Sequence, residues 1–254
     1  MYEISSLEPF FTPFPEPSDV FAGNDADIAR AAEHLLPLLT IDLEAYDPEF
    51  AGLKVHMLSP IEPYEGLVGE NTEDYHNYYL RENWFGFRLT EDNKYEFLGD
   101  WRYFEAENPE SALMTGTMRD DFIKHRDELR ESYAARKQYF EKYNQLVWVD
   151  TIEGIEKAHA EPNVLEYLES WKEPAVEDNW VGLATIPLKE EPCVVTVEEE
   201  EMEDTAYYPI SEAGNQFYLI AETAGYNYAA HGADSILLFF EPKERLVLFT
   251  FDWS

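Results

Sequence analysis

The sequence predicts an α+β fold: a mostly antiparallel sheet with a C-terminal hairpin at its centre, and one long helix and shorter helices packed on it. Three observations predict it. The densest apolar runs are QFYLIA (216–221), SILLFF (235–240) and RLVLFTFDW (245–253), and only Glu241-Pro242-Lys243-Glu244 separates the last two. Such runs of aromatic and β-branched residues joined by a four-residue turn read as a hairpin. A second hairpin is written in WFGFRL (84–89), where Phe85, Phe87 and Leu89 alternate, followed by Glu91-Asp92-Asn93 and a return carrying Tyr95 and Phe97 in phase. Between the two lies a helical period: Met118, Phe122, Leu129, Tyr133, Phe140, Tyr143 and Val147 recur at steps of three, four or seven, which predicts a helix over 117–147.

Each further element has its own signal. Residues 1–23 hold Pro9, Pro13, Pro15 and Pro17 among Phe10, Phe11, Phe14 and Phe21. That proline density blocks helix and ladder pairing and predicts an extended arm over the core. Asn24 or Asp25 caps a helix running to about Leu36, which Pro37 ends or kinks. LKVHML (53–58) reads as a strand, the tyrosine-rich stretch 64–81 as a loop with one helical piece, and Trp101 to Phe104 as an extension of the sheet. Pro162 suits the first turn of a helix over 161–172, with Leu165, Leu168 and Trp171 on one face. Residues 180–188 and 193–197 read as strands around a turn at 189–192, and 198–204 as an acidic loop. On the long helix, Asp120 is spaced to pair with Lys124, and Lys137 with Glu141. The expected organisation is one domain over 1–254, or two tightly packed lobes, 1–116 and 148–254, joined by the helix.

Charge narrows the partner. The 254 residues carry 53 acids against 18 bases, a formal charge of −35. With 45% hydrophobic and 15% aromatic residues the chain still has a core to bury, unlike acidic disordered chains. The charge is uneven. Residues 117–147 hold seven basic and six acidic residues, so the negative field comes from everything except the helix. Salt adaptation fits poorly, because Glu outnumbers Asp and large aromatics abound. Solubility needs far less charge. A basic partner, whose encounter such a field accelerates, explains the surplus. Nucleic acid and anionic membranes are repelled as direct ligands. The single cysteine, Cys193, excludes an intramolecular disulfide and fits a reducing cytoplasm. No signal peptide is expected at Met1-Tyr2-Glu3-Ile4.

Two stretches are candidate partner-binding sites. Glu198, Glu199, Glu200, Glu201, Glu203 and Asp204 form the densest acidic run. It is either a surface for Lys and Arg side chains or a solvated segment that keeps a sheet edge from pairing. The second set is Glu65, Glu70, Glu73 and Asp74 interleaved with Tyr64, Tyr75, Tyr78 and Tyr79, where tyrosines are amphipathic anchors or simply tuck into the sheet. No catalytic residues are expected. The six histidines lack metal-ligand spacing, the acidic run lacks an EF-hand glycine, and no nucleophile elbow or phosphate-cradling loop is present. Neither metal nor cofactor is expected, and Cys193 reads as a buried, inert thiol. With 53 acids, a carboxylate-based enzyme acting on a neutral or cationic substrate stays open, as does an interaction module for a basic cellular protein.

The order of the tail, ISEAGNQFYLIA (210–221) followed by ADSILLFF (233–240), resembles the bacterial immunity proteins of the SUKH superfamily. There a glycine-bearing entry leads to one strand and then to a second ending in aromatics. The likeness covers about forty residues and implies an α+β fold and an antitoxin role against a basic cognate toxin, a nuclease being the model case, since such a toxin must grip phosphates. The chain departs from that pattern by adding 245–253, where such proteins place a polar dipeptide such as Asp-His.

Overall fold

The computed structural model describes residues 4–197 and 200–253. In chain order the strands are β1 (Phe11–Pro13), β2 (Leu35–Asp42), β3 (Lys54–Pro60), β4 (Trp84–Leu89), β5 (Tyr95–Phe97), β6 (Ser170–Trp171), β7 (Leu188–Val197), β8 (Glu200–Pro209), β9 (Tyr218–Thr223), β10 (Ser235–Glu241) and β11 (Leu246–Asp252). The helices are α1 (Pro17–Val20), α2 (Asp25–His34), α3 (Ala112–Thr115), α4 (Arg119–Tyr143), α5 (Ile155–Ala160) and α6 (Asn179–Leu183). The molecule is α+β, and its described sheets are antiparallel, as the sequence predicts.

The hairpin β10–β11 lies in the middle of a six-stranded sheet ordered β5-β4-β11-β10-β9-β6. Every residue of both strands is buried, which is why they read as unbroken apolar runs rather than as alternation. Ile236, Leu238, Phe240, Val247, Phe249 and Phe251 enter one core. Their alternates Leu237, Phe239, Leu246 and Leu248 enter a second with Trp84, Trp180 and Phe217. Burial contributes about 1.5–3 kcal/mol per large side chain, so these two strands hold much of the fold together. β4 and β11, from opposite sides of α4, are direct neighbours, with Phe85 opposite Phe249 and Phe87 opposite Val247.

A second sheet, β1-β2-β3, and helix α4 share the first core through Leu39, Ile41, Val55, Met57 and Leu129. Tyr95 ties the two sheets together: its hydroxyl donates to the His56 carbonyl at 2.9 Å and accepts from the His56 amide at 2.6 Å. The Asn24 capping box opens α2 as expected, but the helix stops at His34 and the chain turns at once into β2. The sequence predicts helix as far as Leu36 and an end or kink at Pro37. Pro37 instead sits at a register irregularity with β3, where the lost donor is tolerated. The proline-rich N-terminus likewise does pair: Phe11, Thr12 and Pro13 lie opposite Ile41, Thr40 and Leu39, and Pro17 starts the one-turn α1.

Helix α4 is shorter than 117–147. Asn144, at φ 54°, adopts the left-handed conformation that ends helices, and its amide bonds to the Phe140 carbonyl. Val147 beyond it bridges Val164. The expected Asp120–Lys124 and Lys137–Glu141 pairs are replaced by Lys124–Glu128 (3.2 Å) and Lys137–Glu16 (2.6 Å). Arg126 and Arg130 meet Glu33, Arg136 meets Asp150, and Lys142 meets Glu156. The helix therefore spends its positive charge on acids from both flanking thirds. Arg136 is the buried case: it donates to the Val149 and Tyr226 carbonyls and lies 4.8 Å over the Trp148 ring, so its charge is compensated.

Five further expectations are corrected. Residues 101–103 form a 3-10 turn capped by the Asp100 side chain, not a strand. No helix spans 161–172. Leu165 and Glu169 instead donate their backbone amides to Leu146 and Glu222, and the stretch ends as edge strand β6. Trp180 sits on helix α6, which Asp178 caps, rather than on a strand over 180–188. The turn expected at 189–192 and most of the acidic loop are continuous strand in β7 and β8.

Candidate functional site

β7 and β8 form a two-stranded ribbon that joins neither larger sheet. Val194, Val195 and Thr196 are strong strand formers, and cross-strand pairing with Glu203, Met202 and Glu201 holds them in register. The base of the ribbon is fixed: the Tyr207 amide donates to the Ala175 carbonyl and the Ile210 amide to the Pro187 carbonyl. Beyond the base it is wet. None of the described side chains from Leu188 to Thr205 is buried, and Glu200 to Asp204 are all exposed. Val194 and Met202 are 57% and 53% exposed. Period-two alternation sends Glu201 and Glu203 to one face and Glu200 and Asp204 to the other. Residues 188–209 carry eight acids and one base, Lys189, which is engaged by Glu191.

The first candidate set therefore divides as follows. Glu200, Glu201, Glu203 and Asp204 are brought together on this acidic arm, in a strand and not a loop. Glu198 and Glu199 lie outside the described residues. Cys193 is half-exposed on the same arm, not buried. Desolvation and then the facing Asp204 push its thiol pKa up, which keeps it protonated and slow to react.

The second set is scattered. Tyr78 donates its hydroxyl to the Ile210 carbonyl at 2.7 Å, and Tyr79 accepts from the Glu212 amide at 3.1 Å. Both rings pack on the second core, so they brace the root of the arm rather than face outward. Tyr75 stacks under Arg102 at 4.5 Å, beside exposed Glu73 and Asp74 on the same 3-10 turn. Glu70 turns back to accept from the Leu67 amide at 3.0 Å. Tyr64 and Glu65 line a small pocket with Glu70 and also stand on the wall of an open cleft of about 520 Å³ that takes in His125 and His231, away from Tyr75, Tyr78 and Tyr79.

Sequence reasoning missed the two histidines, whose ring centroids lie 5.4 Å apart. One is on α4 and the other in the 229–234 loop, and no spacing rule connects them. Among the described residues, no group of three His, Cys, Asp or Glu is placed to hold a metal ion, and no helix is long and apolar enough to cross a membrane. No protein-family model matches the sequence, and no curated protein or solved structure is significantly similar to it.

Proposed function

We propose that this chain is an acidic binding protein that neutralises a basic partner domain, in the manner of a cytoplasmic immunity or antitoxin protein, with the β7–β8 arm as its contact element. The single observation that carries the reading is the arm itself. Its carboxylates sit beside exposed Val194 and Met202 on a ribbon wet on both faces. Solubility accounts for part of the charge and for none of the apolar side chains among it. A cationic groove supplies both partners: Lys and Arg for the carboxylates, and a desolvated centre for valine and methionine. The whole-chain charge speeds encounter with such a groove and repels nucleic acid that would compete for it. The tail's likeness to SUKH immunity proteins favours a toxin as the basic partner. Tyr78 and Tyr79 of the second set support the arm from its root, and Tyr75 with Glu73 and Asp74 offers a minor contact.

The test compares the wild-type chain with a variant carrying Glu200→Gln, Glu201→Gln, Glu203→Gln and Asp204→Asn. Capture from the source cell by wild type is expected to enrich one strongly basic protein in a 1:1 complex. Its on-rate should fall steeply with salt, and the variant should lose most of that dependence. Equal capture and equal salt dependence by the variant would remove the arm from the interface.

A further inference from the structure

Four of the eight large hydrophobic side chains exposed among the described residues are Trp148, Ile152, Val164 and Tyr226. They gather around buried Arg136. The Tyr226 carbonyl accepts from its guanidinium, and Trp148 lies over it. Val164 follows Asn163, whose carbonyl takes the Trp148 amide at 2.9 Å, and Ile152 opens the 3-10 turn four residues beyond Trp148. Exposed apolar side chains grouped in this way, with polar residues around them, mark an interaction surface.

The indole of Trp148 is fixed at both its inner face and its edge. Arg136 stacks 4.8 Å beneath the ring, and Nε1 donates to Asp150 Oδ2 at 3.0 Å. Asp150 in turn holds Arg136 at 2.9 Å. Covering Arg136 accounts for the inner face only. The residue is still 42% exposed. A tryptophan held flat with an open outer face has already lost the freedom that binding would otherwise cost, and tryptophan is the side chain that most often dominates an interface.

Charge decides what covers that face. The ring lines a groove of about 630 Å³ together with three carboxylates, Glu128, Glu131 and Asp150, and one histidine, His231. Glu128 is engaged by Lys124 and His231, and Asp150 by Arg136 and Trp148, while Glu131 stands exposed on α4. Burial and then Glu169, Asp234 and Glu166 push the Tyr226 phenol pKa up, so acids rim that side as well. A second copy of this chain brings another formal charge of −35 and is repelled, as are nucleic acid and anionic lipid. A basic polypeptide is attracted. Because Arg136 already draws on the inner face of the indole, a point charge gains little from the outer one. An arginine suits it better: its planar, weakly hydrated guanidinium stacks on a ring and offers paired N–H groups to a carboxylate.

We propose that this face is a second docking surface for the basic partner, with an arginine of that partner stacked on the outer face of Trp148 and held by the Glu131 carboxylate, and with Ile152, Val164 and Tyr226 as the apolar surround. The surface rests on the partner being basic and not on the arm being its contact, since the face and the ribbon share no residue.

The test labels the full chain with 5-fluorotryptophan, assigns the Trp148 signal with Trp148→Phe, and titrates at about 0.15 M salt. The probes are a terminally blocked Arg-Val-Arg-Leu peptide and the same peptide with citrulline for arginine, which keeps the shape and loses the charge. The arginine peptide is expected to move the Trp148 resonance saturably, and the citrulline peptide to leave it in place. By calorimetry, Trp148→Ala is expected to weaken binding roughly tenfold or more, and Trp148→Tyr, which keeps a stacking ring, to restore part of it. Glu131→Gln, an exposed change that leaves the fold intact, is expected to weaken it several-fold. The variant with Glu200, Glu201 and Glu203 changed to Gln and Asp204 to Asn is expected to keep the Trp148 shift, so failure of the arm as a contact and failure of this surface are read separately. The proposal is overturned if the arginine peptide leaves the Trp148 resonance unmoved, if the citrulline peptide moves it equally, if the arm variant abolishes the shift, or if Glu131→Gln binds as tightly as wild type.

Discussion

The six-stranded sheet and the β7–β8 arm are built from the same kind of backbone ladder and answer to opposite physics. In the sheet, β10 and β11 are covered on both faces, and Phe249 alone meets the rings of Phe85, Phe87 and Tyr95 at 5.4, 6.1 and 6.3 Å. In the arm, none of the described side chains beyond the root is buried, and carboxylates stand among Pro192, Cys193, Val194, Val195, Thr196 and Met202. The sheet can lose no side chain without leaving a void. The arm can exchange its side chains freely as far as the fold is concerned. A stretch on which stability makes so few demands is free to be shaped by a binding partner.

Four changes would break or sharpen that contrast. Ending the chain before Ser235 deletes the central hairpin and is expected to abolish cooperative unfolding altogether; a sigmoidal melt from the shortened chain would refute the layout. Phe249→Ala, within the full chain, is expected to cost about 3–5 kcal/mol in chemical denaturation, because the surrounding rings cannot close the cavity. A loss below about 1 kcal/mol would show a core far looser than the ring contacts imply.

The third change concerns a buried carboxylate. Glu62 is 4% exposed and accepts from the Glu105 and Ala106 amides at 2.7 and 2.8 Å. Burial pushes its pKa up to about 7 against the pull of those two donors. Because the folded-state value lies above the unfolded one, the group's contribution to stability is fully present below pH ~4.5 and is lost as pH rises through 7. The stability of wild type relative to Glu62→Gln is therefore expected to decline by up to about 3 kcal/mol between pH 4.5 and 7.5. A flat difference across that window would mean that Glu62 is ionised throughout. The smallest effect belongs to the arm: replacing Glu200, Glu201 and Glu203 with Gln and Asp204 with Asn should leave stability within about 0.5 kcal/mol. A larger loss would mean that the ribbon packs on the body and is not the free element described.

The two regions also differ in how openly the sequence declared them. Strands buried on two faces leave dense apolar runs, so β4, β9, β10 and β11 were legible within a residue or two. Wherever polarity and propensity disagreed, the reading failed. Glu200 to Asp204 suggested a loop because charge outweighed the strand-forming Val194, Val195 and Thr196 across the ribbon, a pairing visible only in three dimensions. Pro37 suggested a helix end because the register irregularity that accommodates it depends on β3. Residues 161–172 carried helical spacing, but their amides are taken by Leu146 and Glu222, and tertiary hydrogen bonds overrode local preference. The cleft had no linear signal at all: Tyr64, His125 and His231 come together only through the fold.

One further consequence follows from the position of β4. Its ladder partner is β11, with Trp84 opposite Thr250 and Arg88 opposite Leu246. As the chain emerges from the ribosome, the first hairpin is finished long before its neighbour exists, with Phe85 and Phe87 still without their cover. Completion of the sheet must wait until the residues of β11, more than 150 positions after β4, have been translated. Until then the nascent polypeptide presents a bare aromatic edge, the kind of surface that chaperones shield and that aggregates when they do not.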